Sequence, residues 1–240
     1  MLLRFAVLRV RNGGNVSTRH RALWLHRACR MIVRRLSMRV SASGPLPDLG
    51  LVVSNHLSYL DILFFSSVMP CVFVSKSEVI SWPLFGVLAR CGGTIFVERG
   101  RGVVIESVSR QIAAALEAGI PVVLFPEGTS TDGQSVLTFF PSLFEAAVRN
   151  NSSVFPAAIS YETAGGCEAD LCYYGDDTFA PHLLSVLAHR NLHARIAFPD
   201  RGKIYSDRKS AARESREQVV VYRQTLSSRA AEADRTFIPA

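Results

Sequence analysis

Apolar residues gather in short unbroken runs through the middle of the chain. They are Leu51-Val52-Val53, Val72-Phe73-Val74, Thr94-Ile95-Phe96-Val97, Val122-Val123-Leu124-Phe125, Val154 to Ile159, and His193 to Phe198. Runs of this length without polar alternation predict strands buried on both faces, as in a parallel sheet. Helical segments separate several of them, such as Val103 to Ala118 and Val136 to Asn150. Strands alternating with helices predict an α/β fold with a largely parallel central sheet flanked by helices. A charged, weakly amphipathic stretch from Asp207 to Ala231 predicts a C-terminal helix.

A different pattern precedes the first strand. Between Arg19 and Arg39, Ala22, Leu25, Cys29, Ile32 and Leu36 recur at three- and four-residue spacing. His20, Arg27, Arg30 and Arg34 occupy much of the other surface, so an amphipathic helix with an arginine-rich face is predicted. Such a helix can lie in the headgroup region of an anionic bilayer, or pack on the domain with its basic face solvated. Ser43-Gly44-Pro45-Leu46-Pro47 breaks it. The chain thus divides into a basic amphipathic, membrane-associating N-terminal segment at 1–47 and an α/β domain at 48–240.

Charge supports that division. Ten arginines and no acidic residue precede Asp48, while the whole chain of 240 residues carries only +7, so the body is mildly acidic. A positive arm on such a body calls for an anionic partner, either a lipid surface or nucleic acid. Hydrophobic residues make up 48%, enough for a sizeable core, and the mean hydropathy of +0.19 points to some apolar surface for a membrane or lipidic ligand.

No uncharged stretch reaches the ~18–20 residues that span a bilayer. The longest runs from Ile62 to Ser75 and contains Pro70. Met1 to Val10 holds Arg4 and Arg9 within its apolar run, which also makes it a poor signal peptide. Five cysteines without a C-x-x-C pair indicate neither a disulfide framework nor a zinc site. The expectation is a peripheral membrane protein on the reducing, cytoplasmic face.

Candidate chemistry lies where the predicted strands end. Leu51-Val52-Val53 runs into Ser54-Asn55-His56, Ile95-Phe96-Val97 into Glu98-Arg99-Gly100, and Val123-Leu124-Phe125 into Pro126-Glu127-Gly128-Thr129. Open α/β sheets bind ligands outside the carboxyl ends of their strands. His56 is the side chain most readily poised as a general base, and Asp61 could fix its tautomer. Five residues on a regular helix turn through ~500°, so the pair meets only if His56 precedes the helix and Asp61 lies about one turn in. Asn55 or Ser54 would then cap that helix. The loop from Phe125 to Gly133 holds two glycines and several hydroxyls, so its backbone could face an anion or simply turn into a helix. Arg99 could pair with a phosphate or stay a surface arginine. G-x-S-x-G, P-loop, dinucleotide and H-E-x-x-H patterns do not occur.

Taken together, these stretches resemble the glycerolipid acyltransferase family. Its N-H-x-x-x-x-D motif is matched by Asn55-His56-Leu57-Ser58-Tyr59-Leu60-Asp61, and its F-x-x-R by Phe96-Val97-Glu98-Arg99 after Gly92-Gly93. Its F-P-E-G-T is matched by Phe125-Pro126-Glu127-Gly128-Thr129, and its proline-bearing strand by Val154 to Ile159. Lys76-Ser77-Glu78 with Pro83 and Gly86 resembles the family's linking segment.

The resemblance implies an O-acyltransferase that forms no covalent enzyme intermediate. His56 would take the proton from a lysolipid hydroxyl, supported by Asp61, and the oxygen would attack the thioester of acyl-CoA or acyl-ACP. Arg99, Glu127, Gly128 and Thr129 would bind the acceptor. No metal or other cofactor is implied, and the partners are an anionic membrane surface, the lysolipid and the acyl donor, without nucleic acid. The first acceptor implied is 1-acyl-sn-glycerol-3-phosphate, giving phosphatidic acid in phospholipid biosynthesis. The family's phosphate-holding arginine after E-G-T is Ser130 here. Versions of the motif without it occur in relatives that acylate lyso-ornithine lipid or lysophosphatidylcholine, which are the alternative acceptors. Two readings from other classes are a basic-arm nucleic-acid-binding protein and a hydrolase using water as acceptor.

Overall fold

The computed structural model describes residues 2–11, 13–82, 85–97 and 102–235. Its centre is a sheet of β1 (Arg39–Ser43), β2 (Leu51–Ser54), β3 (Val72–Lys76), β4 (Ile95–Val97), β5 (Val122–Leu124), β6 (Val154–Glu162) and β7 (His193–Ala197). The spatial order is β1-β7-β6-β2-β5-β3-β4. Neighbours run parallel, except that β6 and β7 are antiparallel.

Successive side chains of a strand point to opposite faces, so a strand covered on both sides needs apolar residues at every position. In β2, Val52 enters the core on one face while Leu51 and Val53 enter the core on the other. Val123 is likewise opposed by Val122 and Leu124, and Ala157 and Ile159 by Val154 and Ala158. The unbroken apolar runs of the sequence are the signature of this double burial.

One face is covered by α1 (Leu2–Arg11), α2 (Thr18–Arg35), α3 (Leu60–Val68), α4 (Phe85–Gly92) and α7 (Phe179–Ala188). The other is covered by α5 (Gly102–Glu117), α6 (Glu145–Arg149) and α8 (Arg208–Arg235). The α/β class and mainly parallel sheet expected from the sequence are present.

Three local expectations differ. The helix expected to reach Arg39 ends at Arg35, where Ser37 takes a positive φ of 52°. Residues 39–43 then pair with β7, so part of the expected N-terminal segment forms the edge strand of the sheet. The helix expected over Val136–Asn150 is reduced to a 3₁₀ turn at Pro141–Phe144 and the short α6. Pro141 has no N–H for a helix, and the N–H groups of Leu137 and Phe140 already bond to the Glu127 carboxylate and the Pro126 carbonyl.

The two N-terminal helices bury different amounts of apolar surface. Ala22, Leu25, Cys29 and Val33 of α2 pack into the domain, while Arg27, Arg30, Arg34 and Arg35 stay exposed. α1 is anchored by Phe5, whose ring meets Trp24 edge-on at 5.0 Å. Its Leu3, Val7 and Val10, spaced to share one side, are 78%, 49% and 81% exposed.

Candidate active site

β2 and β5 are parallel neighbours with Val53 opposite Leu124. Their ends therefore release Asn55-His56 and Pro126-Glu127 at the same edge of the sheet. β6 flanks β2 on the other side, with Ala157 opposite Ser54, and continues to Glu162. Its last turns of pleat carry Tyr161 past the end of β2 and onto the start of α3.

His56 precedes α3 and Asp61 sits in its first turn, as the spacing required. His56 Nδ1 lies 2.6 Å from Asp61 Oδ2. A carboxylate only accepts, so Nδ1 carries the hydrogen and Nε2 keeps its lone pair. The N–H groups of Leu57 and Ser58 donate to the same oxygen at 2.9 and 3.3 Å, and the Tyr161 hydroxyl donates to Oδ1. Asp61 is fully buried, and its place at the amino end of a helix favours a negative charge. The His56 ring stacks on Phe125 at 4.2 Å and stays 22% exposed, within reach of a substrate.

Glu127 is buried beside this pair. One of its oxygens accepts the His56 N–H and the other the Leu137 N–H, both at 2.7 Å. Burial pushes its carboxyl up to about 7, against the opposing pull of those two N–H groups. Thr131 donates its N–H to the His56 carbonyl at 2.9 Å, so the loop after β5 holds the His56 backbone on both sides. Gly128 adopts φ +69°, and a Cβ there would meet the Phe140 ring at 2.8 Å. Thr129 is exposed, and the Ser130 hydroxyl donates to the Tyr173 carbonyl.

The structure thus joins His56, Asp61 and Glu127 by hydrogen bonds and places Gly128 and Thr129 on the loop that follows. Arg99 lies outside the described residues. Asn55 does not cap α3. Its amide bonds both the N–H and the carbonyl of Ile159 at 2.9 and 3.1 Å, tying the end of β2 to β6. The N-cap residue is Tyr59, without a side-chain bond.

Sequence reasoning missed Tyr161, Glu168 and Arg223. Arg223 of α8 is buried, bonds Glu168 with both terminal nitrogens, at 2.8 and 2.6 Å, and reaches the carbonyls of Ile159 and Gly133 at 2.9 and 2.6 Å. Glu168 in turn accepts the Tyr161 N–H at 2.8 Å. One signal existed for Tyr161, since it shares strand parity with Ile159 two residues earlier. None existed for Arg223.

Beyond the dyad, Tyr59 packs against Trp82, Phe85, Tyr173 and Phe179, with centroids 5.1–6.2 Å apart. Tyr173 donates its N–H to the Leu57 carbonyl at 2.8 Å, which fixes this aromatic cluster to the dyad loop. Among the described residues no group of three or more His, Cys, Asp or Glu side chains could hold a metal ion. None of the described helices is long and apolar enough to cross a membrane.

An imidazole nitrogen backed by a buried carboxylate, at the carboxyl edge of a parallel sheet, is an arrangement able to take a proton from a bound substrate. The Acyltransferase family model matches residues 38–160, and the chain belongs to that family. It is accordingly an O-acyltransferase. It is 35% identical to the lyso-ornithine lipid O-acyltransferase of Pseudomonas aeruginosa, over 82% of this chain and 75% of that one. It is 38% identical to the enzyme of the same name from Rhizobium meliloti, over 73% and 64%. It is 30% identical to the 1-acyl-sn-glycerol-3-phosphate acyltransferase of Neisseria meningitidis, over 80% and 75%. The fold matches the crystal structure of the 1-acyl-sn-glycerophosphate (LPA) acyltransferase PlsC from Thermotoga maritima, with a TM-score of 0.59 and 19% identity, over 100% of this chain and 88% of that one.

Proposed function

We propose that this protein transfers a fatty acyl group from acyl-CoA or acyl-ACP to the hydroxyl of a lyso-ornithine lipid at an anionic membrane surface. The observation that carries the chemistry is the His56–Asp61 hydrogen bond, which leaves Nε2 as a base at the partly exposed end of the pair. Nε2 takes the hydroxyl proton as the oxygen attacks the thioester carbonyl carbon. The carbon–oxygen bond forms, the carbon–sulfur bond breaks, and the imidazolium returns its proton to the leaving thiolate. Asp61 stays ionised and balances the imidazolium. Glu127 positions the His56 backbone, while Gly128, Thr129 and Arg99 are assigned to the polar acceptor.

Two observations favour lyso-ornithine lipid over 1-acyl-sn-glycerol-3-phosphate as acceptor. Ser130 replaces the arginine that the resemblance gives a phosphate-holding role, and its hydroxyl is spent on the Tyr173 carbonyl. The Tyr59, Trp82 and Tyr173 rings cluster beside the dyad loop, and aromatic rings attract an ammonium group, which the ornithine headgroup carries. The names of the Pseudomonas and Rhizobium relatives agree with this choice. The Neisseria relative favours the phosphate acceptor as the second reading.

The exposed apolar side of α1 and the arginines of α2 supply the membrane contact, the first by insertion and the second by attraction to anionic headgroups. Neutralising Arg27, Arg30, Arg34 and Arg35 together should weaken co-sedimentation with phosphatidylglycerol vesicles and reduce its salt dependence. Unchanged binding would remove α2 from the membrane contact. The acceptor is tested with labelled acyl-CoA and a panel of lysolipids, separating the lipid products. Preferred acylation of lyso-ornithine lipid is expected. Preference for 1-acyl-sn-glycerol-3-phosphate would establish the second reading, and release of free fatty acid alone would overturn both.

A further inference from the structure

We propose that Tyr161 is a positioning residue of the reaction, whose hydroxyl holds the buried Asp61 carboxylate in its charged form and thereby sets the pH at which His56 can act as base. The proposal rests on the assignment of His56 and Asp61 above and extends it to a residue that lies just beyond the span matched by the family.

The geometry carries it. Oδ2 of Asp61 takes three donors, all from the short segment between His56 and Ser58. Oδ1 is served by the Tyr161 hydroxyl, from a strand 100 residues away in sequence. Both Asp61 and Tyr161 are buried, at 0% and 3% exposure, so water does not replace that donor. Tyr161 is itself held. Its N–H bonds to Glu168, its ring meets Phe64 at 5.5 Å, and Glu168 is clamped by Arg223. A ring fixed at both ends keeps its hydroxyl aimed at one oxygen.

The direction of the effect follows from net charge. The dyad carries −1 before it takes a proton and zero afterwards. A hydroxyl donating to Asp61 favours the −1 state, and its loss makes proton uptake easier whichever member receives the proton. The other titratable or charged groups facing the pair are Glu127 from the loop after β5, Glu168 and Cys172 from the segment after β6, and Arg223 from α8. All four remain in a Tyr161→Phe protein, so a difference between the two profiles belongs to the hydroxyl.

The test compares wild type with Tyr161→Phe in two readouts, the pH profile of kcat/KM and the NMR titration of the His56 ring. Both should move to higher pH, by about 1–2 units, the size expected when a charged group loses one hydrogen bond. Because proton uptake by the pair is read directly at His56, the second readout does not depend on turnover. Site-specific 3-fluorotyrosine at 161 keeps the ring and strengthens the donor, so it should shift both readouts to lower pH even if the phenylalanine variant folds poorly. A uniform loss of activity with unmoved midpoints would overturn the proposal and leave Tyr161 a packing residue. A folded His56→Ala protein with near-normal activity would instead overturn the assignment of the base itself.

Discussion

Two regions of the sheet edge each bury one carboxylate, and they are built differently. The first turn of α3 surrounds Asp61 with a histidine ring, two backbone N–H groups and a phenol. The loop after β5 gives Glu127 two backbone N–H groups, one on each oxygen. Burial outweighs those two N–H groups, and the Glu127 carboxyl rises to about 7. The donors also differ in kind, an imidazole and a phenol beside backbone groups at Asp61 and backbone N–H groups alone at Glu127. The same edge thus holds one group suited to balance an imidazolium and one suited to fix a loop.

Substituting Asp61 by Asn should break the comparison most strongly. The amide can donate to His56 Nδ1 and invert its tautomer, while the backbone N–H groups of Leu57 and Ser58 lose a charged acceptor. Turnover should fall ~10²–10⁴-fold in steady-state assays of lysolipid acylation. A folded Asp61→Asn protein within a few-fold of wild type would show that the carboxylate is structural only.

Glu127→Gln sharpens the contrast through stability. A carboxyl raised by burial holds a proton in the folded chain that the unfolded chain has already released. The stabilisation is therefore complete below about pH 4.5 and is lost as pH rises through about 7. Wild type should lose on the order of 2–3 kcal/mol relative to the Gln protein between those values, measured by denaturant midpoints across pH. Parallel curves would mean that Glu127 titrates normally.

Gly128→Ala addresses the loop that carries Glu127. The left-handed backbone and the nearby Phe140 ring together should cost about 1–3 kcal/mol, visible as a lowered melting temperature. Truncating Phe140 to Ala in the same protein should recover part of that loss by removing the clash. No recovery would assign the whole cost to the backbone.

Much of this site was readable before the fold was known. The paired runs Val53-Ser54-Asn55-His56 and Leu124-Phe125-Pro126-Glu127 announce strands that end in polar chemistry, and the five-residue step from His56 to Asp61 demands a helix beginning between them. Both features are local, and local geometry produces them. The helix expected at Val136–Asn150 failed because the competing acceptor for Leu137, Glu127, lies on a separate turn. The stripe of α2 was ambiguous for a related reason. Periodicity says that a helix has an apolar side, and only the neighbouring helices decide whether that side is covered, as in α2, or left open, as in α1.

By itself the sequence determined the doubly covered strands, the basic arm and the reactive pair at a strand end, because each follows from residues within a few positions of one another. The tertiary structure alone decided which donors complete Asp61. Tyr161 meets Asp61 across 100 residues because β6 lies beside β2 and runs past its end, and Arg223 reaches Glu168 across 55 because α8 packs on that strand. Strand order and register are settled by the burial of whole faces, and no short stretch of sequence encodes them.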